Sequence, residues 1–174
     1  SRFSTGSRRS SAMADSADWD GLIAVAAAGG RRAAAWDAPG FGRSAAPGFE
    51  QSVGAQAAFL GRALDVLGIG RAVLVLHDFG GPWGLTWASA APERLAGVVL
   101  LGTGVLPGYR WHTLAHVWRT PVLGELFMAT TTRRAFRARL RRGEPRDLPR
   151  ALLDRMYDDF DGATRRAVLD LYRS

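Results

Sequence analysis

Cysteine, lysine and asparagine are absent from this chain of 174 residues, and histidine occurs only three times. Without cysteine there can be no disulfide, no thiolate metal site and no cysteine nucleophile, and the composition fits a reducing, cytoplasmic compartment. Without lysine, every basic side chain is arginine. Together with abundant alanine and glycine, this is the bias that GC-rich coding produces by itself. The net charge of +7 therefore reports codon usage before it reports a nucleic-acid partner, and none is expected. Long apolar runs are missing too: none approaches the ~18 to 20 residues of a spanning helix, so no membrane partner is expected. What is present is 47% hydrophobic residues, enough to bury a sizeable core in a chain of single-domain length.

Residues 1–18 are rich in Ser, Arg and Ala without helical or strand period, and are expected to form a disordered or non-native leader. Trp19 to Ala28 favours helix, stopped by Gly29-Gly30, and Ala33 to Trp36 reads as a short buried strand. A Gly/Pro-rich loop follows from Asp37 to Gly48. Val53, Ala57, Leu60, Leu64 and Leu67 recur at helical spacing, closed by Gly68 and Gly70. Val73 to Leu76 is an unbroken apolar run, the pattern of a central parallel strand covered on both faces. A turn from His77 to Gly80, a helix to about Ala91 and a second strand, Leu95 to Leu101, come next. Strands alternating with helices argue an α/β class with a parallel sheet and flanking helices. From residue 109 onward the signals are helical only, in stretches 111–142 and 149–172 broken at Gly143-Glu144-Pro145. The expected organisation is a leader (1–18), a partial α/β core (19–108) and the start of a helical cap (109–174).

Ligands collect outside the carboxyl ends of parallel strands, and Asp78 stands on the first turn after the central one. A tight strand-to-helix turn exposes its residue, and close packing there demands small neighbours; Gly80, Gly81 and Gly84 fit that demand. The following helix directs free N–H groups at the carboxylate, which favours its ionised, nucleophilic form, and the amide of Phe79 is positioned to donate to an oxyanion. An Asp before a helix is otherwise most often a simple N-cap.

Three segments carry a family resemblance: Asp37-Ala38-Pro39-Gly40-Phe41-Gly42-Arg43-Ser44, His77-Asp78-Phe79-Gly80-Gly81-Pro82 and Pro92-Glu93-Arg94-Leu95. In order and spacing they resemble the haloalkane dehalogenase and epoxide hydrolase branch of the α/β-hydrolase superfamily, over about residues 19–174. The resemblance implies a partial α/β-hydrolase fold with Asp78 as nucleophile on its elbow and His77 as a structural elbow residue. It further implies an alkyl-ester intermediate and a small apolar substrate, with no cofactor and no metal. Asp37 is expected to shape its loop.

Three departures qualify that expectation. The family's His-Gly motif, which supplies the second oxyanion donor, has no counterpart near Ser10-Ser11. The position where some relatives carry the catalytic acid is Gly102-Thr103-Gly104. The family's late histidine base does not occur before Ser174. The expectation is a chain cut short at both ends, either a hydrolase acting through Asp78 or a non-catalytic fragment of one.

Phe79 stands where many haloalkane dehalogenases carry a halide-binding Trp, and Phe cannot donate. His112 and His116 have helical i, i+4 spacing but no accompanying third metal ligand, so a polar helix face is expected. Tyr109, Trp111 and Trp118 are candidates to line an apolar substrate slot, with packing of cap on core as the alternative. The basic run Arg133, Arg134, Arg137, Arg139, Arg141 and Arg142 reads as a solvated helix face.

Overall fold

A computed structural model describes residues 16–44, 46–104, 110–143 and 148–174. Ser16–Trp19 form a 3-10 turn, followed by α1 (Asp20–Ala28), α2 (Val53–Val66), β1 (Ala72–His77), α3 (Gly80–Ala90), a 3-10 turn at Pro92–Arg94 and β2 (Leu95–Leu101). Five helices complete the order: α4 (Thr113–Arg119), α5 (Leu123–Thr130), α6 (Arg133–Gly143), α7 (Arg150–Asp158) and α8 (Gly162–Arg173). No helix among the described residues is long and apolar enough to cross a membrane.

β1 and β2 pair in parallel from Ala72 opposite Leu95 to His77 opposite Leu101. Parallel neighbours need a crossover, and α3 supplies it. Ser52 caps α2 by accepting from the Ala55 N–H at 3.2 Å. The helix then turns Ala57, Leu60 and Leu64 inward against Leu74 and Leu76 of β1 and Trp87 and Ala88 of α3. Each fully buried leucine here contributes about 1.5–3 kcal/mol relative to exposure. The approach is close: a Cβ at Gly84 would lie 2.5 Å from Leu76, and one at Gly61 would lie 3.1 Å from the Trp87 ring. The small residues on the helices thus make room for the large ones they meet.

Two expectations change. Ala33 to Trp36 belongs to no ladder among the described residues, where the sheet has two strands. β1 is covered on alternate positions only, with Leu74 and Leu76 buried and Val73 58% exposed, while Val98, Val99 and Leu100 of β2 are 39–45% exposed. A strand's burial depends on what lies beside it, and the apolar run alone does not supply that neighbour.

A second core joins the C-terminal helices. Ala115 and Trp118 of α4, Met128 of α5, Phe136 of α6, Met156 of α7 and much of α8 cluster around Phe41 from the Gly-rich loop, with Phe79 and Trp83 packed against them. The arginine run on α6 is partly answered within the fold. Arg133 reaches Asp154 and Asp158, Arg137 pairs with Asp154, and Arg139 stacks over Phe127, 5.2 Å to the ring centroid. Those contacts reduce what the run offers to an outside anion.

Asp37 anchors the Gly-rich loop from a site only 8% exposed. Its carboxylate accepts from the backbone N–H of Ser16 at 2.6 Å and of Arg43 at 3.0 Å, with the Arg43 guanidinium 3.7 Å away. A side chain on Gly42, which has φ +53, would run into the same carboxylate. Burial pushes the Asp37 carboxyl upward, but the Arg43 and Ser16 donors outweigh it and hold it below the usual carboxylate value. Its stabilisation is therefore complete above the unfolded value near 3.8 and is lost as pH falls through the lower folded value. Asp37→Asn is expected to cost about 1–3 kcal/mol at pH 7, measured by urea unfolding, with the cost shrinking in strong acid.

Candidate functional site

The chain leaves β1 through Asp78, whose φ of 49° is left-handed, a region that costs most L-residues but that Asp and Asn tolerate. Three hydrogen bonds hold this turn. The Asp78 N–H donates to Leu101 O at 3.3 Å, the Gly81 N–H donates to Asp78 O at 3.1 Å, and the Thr103 hydroxyl donates to the same oxygen at 2.6 Å. The turn after β1 is thus tied to the residues that end and follow β2. Gly81 is required for this: a Cβ there would lie 2.8 Å from Thr103 Cβ. Gly80 differs from the expectation of tight packing, because nothing lies within 4 Å of where its Cβ would be.

The Asp78 carboxyl is pushed up to about 6, first by burial, with the Phe79 N–H that hydrogen-bonds it acting in the opposite direction. Helix-end donors were expected to dominate; desolvation outweighs them. The group is still mostly ionised at neutral pH. His77, half-buried next to it, is held below its ordinary value by burial, with Asp18 pulling the other way.

Asp78 opens into a cavity of about 1290 Å³ between the turn and the C-terminal helices. Phe79, Trp111 and Trp118 all line it, as do His77 and His112. Phe79 stacks on Trp111 with centroids 6.2 Å apart and meets Tyr172 edge-on at 5.1 Å, and Trp118 meets Tyr172 at 4.8 Å. Trp118 is 4% exposed and its indole N–H has no hydrogen-bond partner among the described residues. Tyr109 lies outside the described residues.

Sequence reasoning missed two participants. Tyr172, at the end of α8, is the ring on which Phe79, Trp111 and Trp118 converge, and its position in the chain gives no sign of that. His112 is the N-cap of α4, its Nδ1 accepting from the Ala115 N–H at 3.1 Å. It stands just outside the helix, so it and His116 do not form a helical chelating pair. No group of side chains among the described residues is arranged to hold a metal ion. Burial, then His116 and Arg139, lower the His112 value, so its ring is neutral near pH 7. The cap bond commits Nδ1 as acceptor, which leaves the proton on Nε2.

A two-stranded parallel sheet flanked by helices, a Gly-held turn after its first strand and a helical layer over the strand ends define an α/β class of architecture. The sequence profile of the α/β hydrolase fold matches residues 11–143, and the chain belongs to that family. A haloalkane dehalogenase from Agrobacterium fabrum is 36% identical over 67 residues, 38% of this chain and 22% of that one. Among solved structures, Cfl2 from Burkholderia cenocepacia superposes with a TM-score of 0.73 at 27% identity, covering 82% of this chain and 54% of that one. The haloalkane dehalogenase DatA from Agrobacterium tumefaciens C58 superposes with a TM-score of 0.65 at 25% identity, covering 82% and 50%. An epoxide hydrolase from Vigna radiata shares the fold, with a TM-score of 0.72 at 19% identity, covering 90% and 61%. The chain spans about half the length of the first two of these structures.

Proposed function

We propose that Asp78 is a carboxylate nucleophile that attacks an alkyl carbon of a small apolar substrate, a haloalkane or an epoxide, in the aromatic cavity beneath a helical cap. The observation that carries this reading is a carboxylate in a left-handed turn, tied down by Thr103 and Gly81, that lines a largely apolar cavity. A buried carboxylate shed of most water is a stronger nucleophile, and at a value of about 6 it remains ionised above neutral pH. The similarity to haloalkane dehalogenases and epoxide hydrolases supports the substrate class.

In the first step a carboxylate oxygen of Asp78 forms a bond to carbon. The carbon–halogen bond breaks and the halide leaves with its electron pair; with an epoxide, a carbon–oxygen bond breaks and the resulting alkoxide takes a proton from water. The neutral His112 Nε2–H and the unpartnered Trp118 N–H belong to residues lining the same cavity, and both are donors suited to a departing anion. The second step, hydrolysis of the ester, needs a base to activate water. His112 has its acceptor nitrogen committed to α4, which disfavours it in that role. Among the described residues the geometry therefore supports formation of the ester at Asp78 and assigns its hydrolysis to none of them.

The test is incubation of the 174-residue chain with bromohexane and, separately, epoxyhexane, followed by intact mass and peptide mapping. One alkyl or hydroxyalkyl ester per chain, located at Asp78, is the expected result. An unmodified chain without product release, or modification spread over other carboxylates, would exclude the assignment.

A further inference from the structure

The face that α6 turns to the larger cavity carries two cations. Ala135, Ala138, Arg139 and Arg142 line that cavity, and their positions recur at the three- and four-residue steps that share one side of a helix. Arg133 and Arg137 lie on another side of α6, where Asp154 and Asp158 of α7 answer them. The arginine run is thus divided. Part of it joins two helices, and part of it looks into the space that Asp78 also lines.

Arg139 and Arg142 have no such answer. Neither guanidinium has an ion pair or a hydrogen-bond partner among the described residues, and Asp78 is the only acidic side chain described on the cavity wall. The Arg139 guanidinium lies over the ring of Phe127, another lining residue, at 5.2 Å, and this contact fixes the direction of the side chain. Its charge is felt inside the cavity, where it helps to lower the His112 value, whereas burial and the Phe79 N–H set that of Asp78. The cations and the carboxylate therefore occupy separate parts of one space.

The rest of the wall is chiefly apolar, with Phe127, Phe136, Leu140 and Phe160. A wholly apolar ligand would gain nothing from two guanidinium groups. A polyanion would lose its hydration against the aromatic rings. One carboxylate on an alkyl chain meets both demands, since the planar guanidinium fork matches its two oxygens.

We propose that Arg139 and Arg142 form a carboxylate-binding subsite, so that the substrate is an alkyl chain with the reactive carbon at one end and an acid group at the other, of the ω-haloalkanoate type. The placing of the reactive carbon rests on the role proposed for Asp78; the carboxylate subsite does not.

Two measurements keep these apart. In the first, octanoate and octanol, neither of which can alkylate, are titrated into the full chain and followed by tryptophan fluorescence, since Trp111 and Trp118 line the cavity. The expected result is that octanoate binds about tenfold more tightly at low ionic strength, a preference that shrinks with added salt. Arg139→Gln/Arg142→Gln should bring the two ligands close to parity. Arg134→Gln removes a charge from α6 at a residue that does not line the cavity, and should keep the preference. Equal affinities in the unaltered chain overturn the proposal, and so does an equal loss of preference in Arg134→Gln, which would assign the effect to net charge alone.

In the second measurement, ester formation at Asp78 by 8-bromooctanoate and by 8-bromooctanol is read by intact mass and peptide mapping. The acid is expected to half-saturate labelling at about a tenth of the concentration. Labelling of Asp78 with the same half-saturation for both overturns the subsite and leaves the nucleophile standing. Preferential binding of octanoate without labelling by either compound supports the subsite and overturns the role of Asp78.

Discussion

Asp78→Asn is expected to abolish alkylation and at the same time to stabilise the protein. The loss of ester formation should be at least about a thousandfold, because the amide has no nucleophilic oxygen of comparable strength and nothing else on the turn replaces it. The gain in stability follows from burial. In the unfolded chain the carboxyl ionises near 3.8, and in the folded chain at about 6, so the folded state must carry a desolvated charge at neutral pH. Below 3.8 both states are protonated and the cost is absent; it builds as pH rises from about 4 to about 6 and is constant above that. The difference corresponds to about 3 kcal/mol. Asparagine is close to isosteric, carries no charge and tolerates the left-handed φ, so the substitution should remove the cost without adding strain. Urea unfolding at pH 8 should show the variant more stable by that amount, and at pH 4 the two proteins should nearly coincide. Equal stabilities at both values would mean that Asp78 is not desolvated in the folded state.

Gly81→Ala should be among the most damaging single methyl additions in the chain. The new Cβ would lie 2.8 Å from Thr103 Cβ and 3.0 Å from its Cγ2, and still nearer its hydroxyl oxygen, so rotating the threonine side chain does not relieve the overlap. Backbone must move, and the hydrogen bond from Thr103 to Asp78 O is lost with it. Overpacking together with that bond is expected to cost about 2–4 kcal/mol. The clash is with one residue, which makes the assignment separable. In the Thr103→Gly background, Gly81→Ala should cost little, and in Thr103→Ala only part of the penalty should disappear, because the threonine Cβ remains. A double-mutant cycle read by urea midpoints gives the coupling, and strictly additive effects would show that the two residues do not meet.

Local signals carried much of the architecture. The period of Ala57, Leu60 and Leu64 marked α2, and the apolar run at Leu95–Leu101 marked β2 with the same ends that it has in the fold. Asp78 was singled out from its place after a strand and before glycines, and the structure puts it on the wall of the larger cavity. What could not be read were properties that belong to pairs. Ala33–Trp36 has strand-like composition, but a ladder needs a neighbour as well. Gly80 and Gly81 are indistinguishable in sequence, yet only the second faces Thr103. Tyr172 becomes a hub because α8 returns to Phe79 from far along the chain, and His112 becomes a cap because its ring happens to reach the Ala115 amide. The direction of the Asp78 shift was missed for a related reason: helix-end donors follow from position, whereas desolvation depends on everything packed around the group.

The ties that hold Asp78 have a bearing on how the molecule folds. Leu101 and Thr103 grip the turn after β1, and only α3, the 3-10 turn at Pro92–Arg94 and β2 itself separate them from it in the chain. The frame around the carboxylate is therefore one contiguous strand–helix–strand unit, built from contacts of modest sequence separation, and contacts of that kind form with a small loss of loop entropy. Assembly of the Asp78 turn need not wait for α4–α8 to dock. The aromatic rings gathered by Tyr172 come from far along the chain, so under the proposed role of Asp78 the frame of the nucleophile and its apolar surroundings would be acquired at separate stages of folding.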